Sequence, residues 1–132
     1  MPLEVVLLQR AQAIPEVIRL IDHFELSEDF VLVMERFDSV DLFDYISEGL
    51  TPLSELEVQR LFAQVLLAVV AIHKLGIVHQ DIKDENILVD QQTGRIKIID
   101  FGCGAFLPEN DEYFSKFQGK LSRSVYNVLD SD

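Results

Sequence analysis

The sequence predicts an α+β chain, and three observations carry that prediction. Two pairs of β-rich runs are each joined by a polar turn, and a long apolar helical stretch with matched end residues lies between the pairs. With 132 residues, the chain can form one domain with a real core, or part of one.

Pro2 suits a first helical turn, and Leu3, Val6, Leu7 and Arg10 follow at spacings near three and four, so residues 2–12 read as a short helix. Residues 17–25 and 30–36 are β-rich and flank the polar "SED", which predicts an antiparallel hairpin. The second of these strands is apolar at five successive positions, as expected of a central strand. The stretch 54–76 opens with Ser54 and Glu57 at capping-box spacing and closes with Lys74 and Gly76. Its apolar positions Val58, Leu61, Phe62, Val65, Val69 and Ile72, broadened by Leu66, Leu67 and Val70, predict a largely buried core helix. The runs 87–89 and 95–99 then form a second hairpin, in which Gly94 supplies a positive φ and Asn86 and Asp100 stand at adjoining ends. From about residue 105 the pattern weakens, and loop or disorder is expected.

Composition narrows the classes of function. Hydrophobic residues at 48% and charged residues at 26% are ordinary for a globular chain, and no stretch reads as apolar and charge-free enough to span a bilayer, so a soluble protein is expected. The amino terminus lacks the features of a secretory signal, and the single Cys103 can make no internal disulfide, both consistent with an intracellular protein. Cys103 reads as a small, partly buried residue. Eleven Lys and Arg against 23 Asp and Glu leave a formal charge of −12, which repels nucleic acid and anionic membranes and attracts basic peptides.

The chemistry concentrates in "HQDIKDEN", residues 79–86, and in Asp100. Asn86 and Asp100 are hard oxygen ligands suited to Mg²⁺, which completes its shell with waters and substrate phosphates. Asp81 can accept a hydroxyl proton, and Lys83 can neutralise charge on a transferred phosphoryl group. A calcium loop in "DQQTGRIKIID" is excluded by Gln92 and Thr93 and by the absence of a terminal glutamate. Paired-carboxylate glycoside chemistry leaves Lys83 and Asn86 without a role. Lone acids on loops are usually just solvated.

"HQDIKDENILVD" followed by "IKIIDFG" resembles the catalytic-loop and metal-binding signatures of eukaryotic protein kinases, and "DIKDENILVD", "IDFGCGAFL", "PLEVVLLQR" and "DLFDYI" are most similar to the Pim serine/threonine kinases. The resemblance implies a partial protein kinase-like fold. Residues 1–119 would be the kinase portion, with 1–35 a remnant of the small lobe and 36–119 the hinge and the start of the large lobe. Residues 120–132 form a divergent tail, expected to be disordered. It implies ATP and Mg²⁺ as cofactors, protein substrates carrying Ser or Thr, basic peptides among them, and a location in the cytoplasm with the nucleus as a further compartment. Oligomeric state is not implied.

By the same resemblance, Asp81 is the catalytic base, Lys83 contacts the transferred phosphate, and Asn86 and Asp100 hold Mg²⁺, with Phe101 and Gly102 completing the metal-binding turn. Glu4 matches the C-helix glutamate and Met34 the gatekeeper. Backbone groups of Glu35 and Phe37 face adenine, Asp41 lies near the ribose and Leu88 beneath the ring. Leu8, Leu20, His79 and Phe101 match the apolar spine between the lobes, so His79 is structural. His23 and His73 have no functional claim. Phe37 stands where Pim kinases carry proline, and its N–H offers adenine a second hinge bond. Gln80 replaces the usual arginine, which predicts catalysis independent of activation-segment phosphorylation. The family's Gly-rich loop and lysine would precede Glu4, and an A-P-E-like signature would follow Gly119. Neither occurs here, so turnover by this chain alone is not expected, and the pattern resembles a truncated or alternatively spliced product or a gene-model artefact.

Overall fold

The computed structural model describes residues 1–49 and 51–108. The expected tail 120–132 lies outside the described residues.

Helix α1, Leu3–Arg10, starts from Pro2 in extended backbone and tightens into a 3₁₀ turn at Ala11–Ala13. Its Val5, Leu7 and Leu8 are buried. Strands β1, Leu20–Glu25, and β2, Phe30–Met34, pair antiparallel as the sequence predicts, from Leu20↔Met34 to Glu25↔Phe30. The expectation of a central second strand fails: among the described residues β2 pairs with β1 alone, and four of its five residues are exposed. Apolar side chains in this strand are therefore no sign of burial on both faces.

Two elements follow that periodicity did not reveal. Strand β3, Val40–Asp41, joins a three-stranded sheet, and helix α2, Leu42–Ser47, is capped by Asp41, whose Oδ1 accepts the Asp44 N–H at 2.8 Å. Helix α3, Glu55–Lys74, has the expected reciprocal capping box: Glu57 N–H donates to Ser54 Oγ at 3.1 Å, and Ser54 N–H donates to the Glu57 carboxylate at 2.8 Å. Gly76 leaves the helix at φ +76°.

Leu61, Val65, Ala68 and Ile72 of α3 enter the core. Val58 and Phe62, assigned from the sequence to the buried stripe, are 50% and 54% exposed, so α3 buries one face rather than most of its circumference. By length and composition α3 could also cross a membrane, with a mean hydropathy of 1.5, which corrects the reading that no stretch is apolar enough. In this fold it is the helix on which the core is built.

Strands β4, Ile77–Val78, β5, Ile87–Val89, and β6, Ile96–Ile98, carry the remaining core. Strand β5 lies between β3 and β6, with Ile87↔Ile98 and Val89↔Ile96 in register. Gly94 takes φ +73° in the β5–β6 turn, and the Gln64 side chain of α3 receives Ile96 N–H and donates to Gly94 O. The chain after residue 105 does not begin as a loop: strand β7, Ala105–Phe106, pairs with β4. Cys103, expected to be partly buried, is exposed because it stands in the turn before β7.

Candidate active site

His79 organises the loop after β4. It is 2% exposed, its Nδ1 accepts Asp81 N–H at 3.1 Å, and its Nε2 lies 2.8 Å from the carbonyl of Ile99. An accepting Nδ1 in a neutral ring leaves the proton on Nε2, which donates to that carbonyl. The ring meets Phe101 edge-on at 4.8 Å, and Phe101 is 1% exposed. One buried side chain thus joins the loop to the strand end that carries Asp100. Gln80 takes φ +67°, a left-handed backbone that turns the chain between His79 and Asp81, and its side chain is exposed.

Asp81, Lys83 and Asn86 form a single network. Asn86 Nδ2 donates to the Asp81 carbonyl at 2.9 Å and to its Oδ2 at 3.0 Å. Lys83 Nζ stands 3.6 Å from the other carboxylate oxygen, and the Asn86 N–H donates to Lys83 O within the 3₁₀ turn Asp84–Asn86. Because both Asn86 amide hydrogens point to Asp81, its carbonyl oxygen faces elsewhere and is free to act as a hard ligand.

Ile99 N–H donates to Asn86 O at 3.0 Å, which places the start of β5 beside the strand end leading to Asp100, as the hairpin reading predicts. Asp100 has φ +61°, and its Oδ1 accepts the Gly102 N–H at 3.1 Å. A Cβ on Gly102 would lie 3.0 Å from that oxygen and 3.7 Å from Glu4 Oε2, so a side chain there would push the Asp100 carboxylate from its place. Burial first, and the facing Asp100 carboxylate second, push the Glu4 carboxyl above its ordinary value. Among the described residues no group of three or more His, Cys, Asp or Glu side chains is arranged to hold a metal. Asn86 and Asp100 nevertheless fit Mg²⁺, since that ion takes few protein oxygens and fills its shell with water and phosphate.

A cavity of about 310 Å³ opens beside these groups, walled by Glu4, Leu8, Met34, Glu35, Leu88, Asp100 and Phe101 together with Ile18 and Ile99. Seven of those nine residues are ones the sequence singles out. Ile18 was missed because it belongs to no motif, and Ile99, although inside "IKIIDFG", because it reads there as an ordinary strand residue. Phe37 and Asp41 stand apart from this lining. The Phe37 ring faces Lys97, and the Asp41 carboxylate caps α2. Leu20 packs at the margin of the core. Gly104 was also missed: its Cβ position lies 2.8 Å from Leu7 Cδ1, so its closeness to α1 is a tertiary fact.

Residues 1–122 match the family described as "Protein kinase domain". The chain is 47% identical over 105 residues to serine/threonine-protein kinase pim-2 of Danio rerio, covering 78% of this chain and 33% of that protein. It is 38% identical over 119 residues to serine/threonine-protein kinase prk-2 of Caenorhabditis elegans, covering 89% of this chain and 26% of the relative. NUAK family SNF1-like kinase 1 of Homo sapiens is 41% identical over 105 residues, 80% of this chain and 15% of its own length. The chain spans about a third or less of these relatives. Its strands, hinge and loop network follow the small-lobe, hinge and large-lobe order of such a domain, and the chain belongs to the protein kinase domain family as a partial eukaryotic serine/threonine kinase domain.

Proposed function

We propose that this chain is the hinge and catalytic-loop portion of a Pim-like serine/threonine kinase, which transfers the γ-phosphoryl group of ATP to Ser or Thr hydroxyls of proteins. The observation that carries the reading is the network in which Asn86 holds both the carbonyl and the carboxylate of Asp81, with Lys83 at 3.6 Å. The substrate hydroxyl passes its proton to Asp81 as its oxygen bonds to the γ-phosphorus. The bond from that phosphorus to the β–γ bridging oxygen breaks, and ADP leaves with the electron pair. Lys83, with its side chain half exposed, faces the charge on the transferred group. Asn86 and Asp100 would hold Mg²⁺, which neutralises the phosphate oxygens when bound. The adenine ring enters the cavity over Leu88, near the backbone of Glu35; the second hinge bond from Phe37 N–H and the place of Asp41 near the ribose rest on the family resemblance.

The Pim-like assignment is supported by the 47% identity to pim-2. Basic substrate peptides are supported by the charge of −12. Independence from activation-segment phosphorylation is supported by the uncharged Gln80. We place the protein in the cytoplasm, with the nucleus as a further compartment, on the resemblance alone.

A second reading has its own observation. Glu4 sits in the site with its carboxyl raised above the ordinary value, first by burial and second by the Asp100 charge, and a carboxyl held this way favours a regulatory module that binds without turnover. Titration calorimetry of the chain with Mg-ATP, and phosphate incorporation into a basic serine peptide by a form extended with the Gly-rich loop and lysine that the family places before Glu4, separate the two. The kinase reading expects binding that Asp100→Asn abolishes and phosphorylation that Asp81→Asn abolishes. Binding without phosphorylation supports the module, and no binding refutes both.

A further inference from the structure

The Glu35–Lys97 ion pair joins two separate sheets. Glu35 directly follows β2 and grips Arg19 from both sides: its N–H donates to Arg19 O at 2.9 Å, and its carboxylate accepts Arg19 N–H at 2.9 Å. The same carboxylate oxygen receives the Lys97 ammonium. Lys97 lies in the middle of β6 directly opposite Leu88 on β5. Opposed residues of an antiparallel pair project from one face, so Lys97 leaves the sheet on the same face as Leu88, which walls the cavity.

The ammonium also lies 5.5 Å from the centre of the Phe37 ring, a cation–π distance. The Phe37 carbonyl in turn accepts Ser39 Oγ at 2.9 Å. One cation therefore touches the residues on both sides of Arg36. The Lys97 and Glu35 side chains are 20% and 25% exposed, whereas the neighbouring Arg36–Asp38 pair is 91% and 90% exposed. Water and salt screen the first pair far less than the second.

We propose that Lys97 is a positioning residue that clamps residues 35–37 against the β5–β6 sheet and so presets the backbone edge that an adenine ring meets. The proposal rests on the nucleotide reading of the cavity. An edge already fixed by an ion pair at one residue and a ring contact two residues on loses less conformational freedom when a ligand docks, and that saving appears as affinity.

The test uses the full chain and adenosine as the probe, with calorimetry for affinity and hydrogen exchange for the hinge. Lys97→Met is expected to weaken adenosine binding about tenfold, equivalent to about 1.4 kcal/mol. It should also speed amide exchange at residues 35–37 while leaving α3 unchanged. Lys97→Arg, which keeps the charge and the ring contact, should restore most of both. Should Lys97→Met unfold the chain, Glu35→Gln removes the charge of the pair while keeping an acceptor for Arg19, and a smaller loss of affinity is expected. Wild-type affinity in a folded Lys97→Met or Glu35→Gln protein overturns the clamp and leaves the nucleotide reading intact. A wild-type chain that does not bind adenosine overturns both.

Discussion

Replacing His79 with phenylalanine separates the hydrogen bonds of the buried imidazole from its packing. Phenylalanine is close in volume and keeps an edge-on contact with Phe101, now at 4.8 Å between ring centres. It offers no acceptor to Asp81 N–H, which lies 3.1 Å from Nδ1, and no donor to the Ile99 carbonyl, 2.8 Å from Nε2. Both orphaned groups adjoin a site that is 2% exposed at the ring itself. Each buried unsatisfied group costs about 1–3 kcal/mol, so the pair predicts a loss of about 2–6 kcal/mol. Against total stabilities of about 5–15 kcal/mol, that is a large share. At a urea m-value near 2 kcal/mol/M, it lowers the unfolding midpoint by about 1–3 M. The assay is urea unfolding followed by circular dichroism, with the m-value fitted separately. A midpoint within experimental scatter of wild type would refute the reasoning. It would mean that packing against Phe101, rather than the two bonds, holds the loop to the strand end of Asp100.

Three further outcomes follow from the same geometry. Gly104→Ala places a Cβ 2.8 Å from Leu7 Cδ1, 3.1 Å from Val78 O and 3.2 Å from Phe101 O. This overpacking should cost about 1–3 kcal/mol, read as a lower melting temperature, and an unchanged melt would contradict it. For Glu4, a carboxyl raised above 4.5 means that the folded state holds more protons than the unfolded state in the window just above that value. Stability from this group is present below the window and is lost as pH rises through it. Glu4→Gln should therefore stabilise the chain at neutral pH and lose that advantage in acid, as measured by urea midpoints across pH; a pH-independent gain would argue against a Glu4 carboxyl raised by burial and by Asp100. Phe62→Glu alters a residue that is 54% exposed on α3, so sedimentation should show less self-association with little change in unfolding midpoint. A large loss of stability there would mean that the ring is buried in solution.

Much of the site was legible because its chemistry is local. Asp81, Lys83 and Asn86 lie within six residues, and a single loop with a 3₁₀ turn can join them. Asn86 and Asp100 could be brought together from the β5–β6 hairpin alone, and the Ile99-to-Asn86 bond follows that register. Lys97 was within reach of the same register argument, since it opposes Leu88, but its partner Glu35 lies 62 residues away and no periodicity points to it.

The sequence by itself determined the features that a few neighbouring residues decide: the Ser54–Glu57 capping box, the positive φ at Gly76 and Gly94, and the order of loop, hairpin and Asp100 turn. Such features depend on cap and turn chemistry that is complete within one turn of chain. Only the tertiary structure decided which apolar faces are covered. It buried Leu61, Val65 and Ile72 of α3 while leaving Val58 and Phe62 open, kept β2 exposed, drew Ala105–Phe106 onto β4 and exposed Cys103. Burial depends on what lies across a gap from distant parts of the chain, and an apolar side chain reads the same in sequence whether or not anything arrives to cover it.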